Sequence, residues 1–203
     1  STAVTACTDC DAGTYAAGTG NTACADADEG YKVASDGAAS QTACAAGTYQ
    51  NSVGQSACID CAVGYYTGGT GSTVCTAAAA GYYVSTTGAS QQTDCAAGTI
   101  STTTAQTVCS NCGTGTYAAG TGNTVCAVAA KGYYVSTTAA SEQSACAAGK
   151  YQGSTGQTDC DDCTEGSYST GAASVCSVCS AGYIAASTAG PSCDACAAGT
   201  YSN

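Results

Sequence analysis

The chain contains no Leu, Phe, Met, Trp, His or Arg, and only three Ile, three Lys and one Pro in 203 residues. Each shortage excludes something. The 44% hydrophobic fraction rests largely on Ala, Cys and Tyr, so large apolar side chains cannot offset the entropy of ordering the backbone. Without its cysteines such a sequence reads as disordered. The absence of His removes the usual zinc partners and the usual general base. Three cations against 14 carboxylates give a net charge of −11, which disfavours nucleic acid and anionic lipid as partners. No apolar run approaches the roughly 20 residues of a membrane span. There is no signal peptide and residue 1 is Ser, so a mature or excerpted segment is expected.

What is abundant is Cys (18), Gly (27) and Tyr (14), and all three follow one ruler. The organising stretch is Cys44-Ala-Ala-Gly-Thr-Tyr-Gln-Asn-Ser-Val-Gly-Gln-Ser-Ala-Cys58 followed by Ile59-Asp60-Cys61. Stepping 17 residues from Gly47 meets Gly13, Gly30, Gly64, Gly81, Gly98, Gly115, Gly132, Gly149 and Gly166. After one dropped residue the series resumes at Gly182 and Gly199, making twelve anchors. This is a repeat protein. Positions are numbered below from the anchor Gly of each module.

In a full module, cysteines stand at positions −6 and −3, as in Cys7/Cys10, Cys58/Cys61, Cys109/Cys112, Cys160/Cys163, Cys176/Cys179 and Cys193/Cys196. Elsewhere Ala27, Ala78 and Ala129 replace the Cys at −3, and Gln41, Gln92 and Gln143 replace the Cys at −6 of the following module. A lone thiol is a liability in an oxidising compartment, so bonded partners should disappear together. The paired losses therefore predict Cys10–Cys24, Cys44–Cys58, Cys61–Cys75, Cys95–Cys109, Cys112–Cys126, Cys146–Cys160, Cys163–Cys176 and Cys179–Cys193. Each bridge closes a loop of about 15 residues, a constraint of roughly 3 kcal/mol on the unfolded chain. Bridges replace a core, and an extracellular or cell-surface location follows. Co-deleted cysteines and absent His argue against zinc or redox use of the Cys-x-x-Cys pairs.

This pairing leaves Cys7 and Cys196 over. If a second copy follows Asn203, its Cys7 falls 14 residues beyond Cys196, the spacing of the other pairs. The expectation is an inter-unit bridge between Cys196 and Cys7 in an array of copies that continues head to tail. The junction would also create the chain's one Asn-x-Ser/Thr sequence, Asn203-Ser1-Thr2. The cysteine pattern has a higher period of 51 residues, which divides the chain into repeat blocks 1–57, 58–108, 109–159 and 160–203.

Within a module a short hairpin is expected: a first arm around the anchor (Gly64–Thr67), a turn (Gly68–Gly71) and a return arm (Ser72–Cys75). The second glycine at +7 (Gly20, Gly37, Gly54, Gly71, Gly88, Gly122), replaced in Ala105 and Ala139, would supply a positive φ. Asp9, Asp60, Asn111 and Asp162, between paired cysteines, read as turn caps rather than calcium ligands. The trios Asp26/Asp28/Glu29 and Asp161/Asp162/Glu165 lack any calcium-loop spacing and read as solvated faces. All tyrosines fall at +1 or +2. Adjacent strand positions face opposite ways, so one set could cover disulfides while the other faces outwards towards neighbours or glycans. Alternatively all cover disulfides. Ser85-Thr86-Thr87 and Ser101-Thr102-Thr103-Thr104 are candidate O-glycan sites.

The Cys-x-x-Cys-x-x-Gly-x-Tyr pattern resembles ephrin-receptor-like cysteine-rich repeats. The Cys-Ala-Ala-Gly-Thr-Tyr sequence at Cys44 and Cys196 is also similar to ciliate surface immobilisation antigens and to flagellar hair (mastigoneme) proteins of protists. Where such repeats commonly carry Pro after the second Cys, this chain has Ala45, Ala62, Ala147 and Ala197. The resemblance implies elongated extracellular modules without catalytic residues. The fold expected is a small disulfide-rich β-hairpin repeat solenoid of twelve modules, an elongated rod almost without a conventional hydrophobic core. Its expected function is structural, as an extracellular fibre or surface filament carrying O-glycans, with no enzyme activity, cofactor or metal. A receptor- or adhesin-type binding ectodomain and a membrane-anchored coat antigen are the alternatives. Loops that vary little along the array favour the structural use.

Overall fold

The computed structural model describes residues 6–202, so the junction residues Ser1, Thr2 and Asn203 lie outside the described residues. Its only regular elements are eleven two-stranded antiparallel sheets with strands two residues long, and no helix occurs among the described residues. The chain forms two compact units, one from the residues up to Asp94 with Thr103–Val108, the other from Cys95–Thr102 with the residues from Cys109 on. The first unit holds five hairpins and the second six. It is a disulfide-rich β-hairpin repeat.

The hairpin differs in register from the expectation. Tyr65 pairs with Ala77 and Tyr66 with Thr76; Thr48 pairs with Asp60 and Tyr49 with Ile59. The return arm is thus the dipeptide between the two cysteine slots, and Ser72–Cys75 belongs to the connecting loop. Asp60, Asn111 and Asp162 accordingly sit in strands rather than capping turns. The physical reason lies in the closure: the disulfide joins −3 to the next −6, so the first arm lies within the bridged loop and the return arm follows directly after its second cysteine.

The first arm is launched by a four-residue turn. In module after module the N–H at +1 donates to the carbonyl at −2, as from Thr14 to Asp11, Thr48 to Ala45 and Tyr65 to Ala62, each at 3.0 Å. The third residue of that turn is the anchor, with φ of 94° at Gly13 and 84° at Gly64, a region closed to most side chains. A second constraint acts on the same atom. A Cβ at Gly13 would collide with the Gly54 carbonyl oxygen, one at Gly30 with that of Gly71, and one at Gly64 with that of Ala105. Position +7 of the module two steps on occupies the space. In the second unit Gly98 meets Ala139 and Gly115 meets Gly156 in the same way.

Successive modules are stitched through the main chain. The Gly30 N–H donates to the Gln50 carbonyl at 2.8 Å, Val33 N–H to Gln55 at 3.0 Å, Gly54 N–H to Ala27 at 2.7 Å and Cys44 N–H to Gly30 at 2.8 Å. The set recurs at Gly115→Val135, Ala118→Ala140, Ala139→Cys112 and Ala129→Gly115 in the second unit. The residue at +7 holds its positive φ even where it is not Gly: 59° at Ala105, 56° at Ala139 and 58° at Ala189. Its N–H is fixed by the bond to −3, and that bond offsets the strain of an L-residue there.

What is buried is a column of small groups. Positions −3, anchor and +3 are covered: Cys44 and Cys61 are 0% exposed, with Gly47 and Gly64 buried beside them, and Gln50 and Thr67 are 3% and 8% exposed. No buried side-chain nitrogen or oxygen among the described residues lacks a partner. Gln50 donates to the Ala57 carbonyl and accepts from Ser52 N–H, and Gln152 does the same with Asp159 and Ser154. Stability therefore rests on main-chain hydrogen bonds and bridges.

Two outcomes follow. Gly64→Ala should destabilise the fold by several kcal/mol, because strain and collision with the Ala105 carbonyl coincide. Gly182→Ala, at φ 87° with nothing within 4 Å, should cost only the backbone strain of about 1–2 kcal/mol. Denaturant midpoints compare them, and equal costs would show that the close approach is irrelevant. Removing one bridge with Cys61→Ser and Cys75→Ser should cost about 3 kcal/mol, and full reduction should abolish the β signal in circular dichroism. A reduced chain keeping that signal would mean that apolar burial suffices.

Candidate functional site

The chemistry-bearing residues are the cysteines, and the structure joins them as Cys10–Cys24, Cys44–Cys58 and Cys61–Cys75 in the first unit. In the second it joins Cys95–Cys109, Cys112–Cys126, Cys146–Cys160, Cys163–Cys176 and Cys179–Cys193. Cα atoms of each pair stand 5.7 or 5.8 Å apart, within the ordinary range for a bridge. The deleted residue shortens only the Cys163–Cys176 loop, to a separation of 13. Cys7 is exposed, Cys196 is half-buried, and both are free thiols.

Where the bridge is missing, the structure reveals a role that the sequence reading passed over. The Gln41 carboxamide oxygen accepts the Asp28 N–H at 2.7 Å, Gln92 accepts that of Ala79 at 2.8 Å, and Gln143 that of Ala130 at 2.7 Å. The glutamine at −6 thus reaches back to the residue next to the missing Cys at −3, closing almost the same loop without a covalent bond. Gln41 also donates to the Asp28 carboxylate at 2.6 Å. The same modules carry Val33, Val84 and Val135 at +3, 2–3% exposed, above fully buried Ala27, Ala78 and Ala129 in the sequence. Modules with Cys at −3 have Ala, Thr, Ser or Gln there instead. A branched aliphatic side chain appears where sulfur volume is lost. The signal was present: the same residue type recurs three times at one slot.

The tyrosines do not divide into a buried and an outward set. Tyr15, Tyr49, Tyr66, Tyr83, Tyr117, Tyr134, Tyr151 and Tyr168 at +2 are half-buried, and so are Tyr31, Tyr82 and Tyr133 at +1. Tyr65, Tyr183 and Tyr201 are exposed, at 40%, 49% and 86%. Two-residue strands flanked by loops on both sides give neither face a full cover. Tyr31 lies against the +7 turn of Gly71, whose Cβ position is 3.9 Å from the ring.

Among the hydroxyl clusters, Ser85, Thr86, Thr87, Thr102, Thr103 and Thr104 are exposed. Ser101 is 3% exposed; it occupies the +3 column and its N–H donates to the Asn123 carbonyl at 3.1 Å, so it drops out as a glycan site. No group of three or more His, Cys, Asp or Glu among the described residues is arranged to hold a metal ion. Within the acidic trios, Asp28 accepts from Gln41 and Asp162 pairs with Lys150 directly across the strands. That hydrogen bond, with help from Asp159 and Asp161, raises the Lys150 pKa. A raised lysine stabilises the fold at neutral pH and loses that contribution only as pH climbs through its own titration. The pair lies at the surface, where solvent screening keeps the effect small.

Three anchors of the second unit are open among the described residues. The space for a Cβ is empty to 4 Å at Gly166, Gly182 and Gly199, whereas at Gly132 and Gly149 it is filled by the carbonyls of Ala172 and Ala189. An open cleft of about 510 Å³ lies there, lined by Gly166, Val178, Cys179, Tyr183, Ile184 and Ala185. Cys179 and Cys196 are half-buried, where Cys163 at the same position is 0% exposed. In the first unit, Gly20 holds the +7 conformation (φ 77°), is exposed, and its N–H has no partner among the described residues. The equivalent N–H of Gly37 donates to Cys10 at 2.8 Å.

The family model of tyrosine-protein kinase ephrin type A/B receptor-like repeats matches residues 30–74 and again, one module on, residues 47–95. Together the matches span about a third of the chain. No curated protein matches it. The repeat type is a non-catalytic ectodomain type, and with eight disulfides it points to an extracellular or cell-surface location. No helix among the described residues is long and apolar enough to cross a membrane. Residues 30–95 are thus similar to cysteine-rich, ephrin-receptor-like repeats, and the anchors, cysteine spacing and hairpins outside them follow the same repeat pattern.

Proposed function

We propose that the chain is a unit of an extracellular structural fibre or surface filament, extended by head-to-tail continuation of its repeat, with Cys196 of one copy bridged to Cys7 of the next. The observation that carries this reading is the open face at Gly166, Gly182 and Gly199. These anchors keep positive φ of 77°, 87° and 86° and empty Cβ space, the features that elsewhere seat a +7 carbonyl. Continuing the 17-residue count across a junction brings Gly20 of a second copy to Gly182. It also brings the free Gly20 N–H to the Cys196 carbonyl. A contact of this heterologous kind propagates without closing, as the stacking of repeats on their neighbours does. The four blocks beginning at residues 1, 58, 109 and 160 would then follow one another along the fibre. Exposed Ser85–Thr87 and Thr102–Thr104 are the proposed O-glycan sites. Partners are thus further copies and sugars.

The family name favours a second reading, a receptor- or adhesin-type ectodomain, or a membrane-anchored coat antigen, in which loops bind a partner. The repeated loop composition weighs against it, since a specific binding face needs loops that diverge.

Electron microscopy of the oxidised protein should show uniform fibres, and non-reducing peptide mapping should recover a Cys196–Cys7 linked peptide. Cys196→Ser should abolish that peptide and shorten or dissolve the fibres while the eight internal bridges persist. Isolated monomers with both thiols free at high concentration would overturn the proposal. Native material should weigh more than the 19.3 kDa of the bare chain by whole sugar residues; an unmodified mass would remove the glycans.

A further inference from the structure

The bridges divide the backbone unequally. Tension applied along the chain crosses each loop through its disulfide, so residues inside a bridged loop carry none of it. Between neighbouring bridges the chain is only three residues long at Cys58–Cys61, Cys109–Cys112, Cys160–Cys163 and Cys176–Cys179. It is 20 residues long from Cys24 to Cys44, from Cys75 to Cys95 and from Cys126 to Cys146. Each of these three stretches contains one of the loops closed by glutamine alone, through Gln41, Gln92 and Gln143.

We infer that these stretches are extensible elements, three reversible yield points spaced 51 residues apart in an otherwise covalently clipped chain. What holds each shut is the carboxamide bond to the Asp28, Ala79 or Ala130 N–H, burial of one Ala and one Val, and main-chain bonds such as Val33→Gln55 and Val84→Gln106. All of these re-form when tension is released, because the flanking bridges keep both ends in register. At about 3.3–3.6 Å per residue, each opened stretch spans at most about 70 Å. The short three-residue links span at most about 11 Å. Neither pH nor reductant is needed to open the long stretches. The device goes beyond the fibre reading and holds for a single chain.

Force spectroscopy on the oxidised monomer, tethered near its two ends, tests this. Three extension events of equal size are expected, each gaining up to about 70 Å less the folded span, and each reversing on relaxation. Ala78→Cys with Gln92→Cys restores the missing bridge, and peptide mapping confirms that it has formed. That variant should show two events. Gln92→Ala keeps three events but lowers the opening force of one. Fully reduced protein should extend well beyond the sum of the three events. The inference is overturned if the oxidised chain shows no such events or unequal ones. It is also overturned if three persist with the new bridge in place, or if Gln92→Ala leaves all three forces unchanged.

Discussion

The structure depends on one close approach, between the anchor Cα and a carbonyl oxygen two modules further on. At Gly47 the oxygen belongs to Gly88, at Gly115 to Gly156, and in both cases it occupies the volume of a missing Cβ. That contact is possible only for glycine, and the positive φ of the turn demands glycine independently. Two requirements on one residue explain why the anchor never varies over twelve modules while the loops do. Because the oxygen comes from the module after next, three modules must be in register before any anchor is satisfied. The fold thus resists insertion within a module, and the one tolerated deletion lies in a loop, between Cys163 and Cys176.

With backbones this close, no room remains for a core of large side chains, and the composition agrees. The column at −3, anchor and +3 holds nothing larger than Val or Gln. A dry interior of small groups contributes little transfer free energy per module, so unfolding must be opposed through chain entropy and hydrogen bonds. Disulfides supply the first. Where a block forgoes one, three substitutions act together: Ala at −3, Val at +3 and Gln at the next −6. The hydrogen bond that each glutamine accepts is worth about 1 kcal/mol, against about 3 kcal/mol for the loop closure it replaces. Each of the first three blocks therefore mixes strong and weak closures in a fixed order, while block 160–203 keeps every cysteine.

Much of this was legible in the sequence because the period is rigid. The anchor spacing, the paired disappearance of Cys and the glycine at +7 are all one-dimensional facts, and the presence of hairpins and the positive φ of Gly20 follow from them; the same φ at Ala105, an exception in the sequence, does not. The return arm was not legible. A strand of two residues shows no alternation of polar and apolar positions, and Ile59-Asp60 or Ser110-Asn111 look like turn sequences. Likewise Ser101 sits among three threonines and reads as an exposed cluster, yet the module ruler places it at +3, where Val84 and Ala118 are buried. Gln41, Gln92 and Gln143 read as lost cysteines because absence was the informative feature; what the replacement does depends on a side chain reaching 13 residues back.

Function follows from where the molecule spends its variation. Specific recognition needs a surface on which one module differs from its neighbours, and within each unit the main-chain stitching is alike, from Gly13→Val33 to Gly64→Val84 in the first and from Gly98→Ala118 to Gly149→Ser169 in the second. A regular difference between modules is which closure a loop uses. Such an arrangement transmits geometry from module to module rather than concentrating affinity at one point. The open anchors at Gly166, Gly182 and Gly199 present the surface that is covered at Gly98, Gly115, Gly132 and Gly149 of the same unit. An interface that has already been satisfied repeatedly inside the chain needs no new chemistry to be used once more, and the proposed continuation of the array rests on that economy.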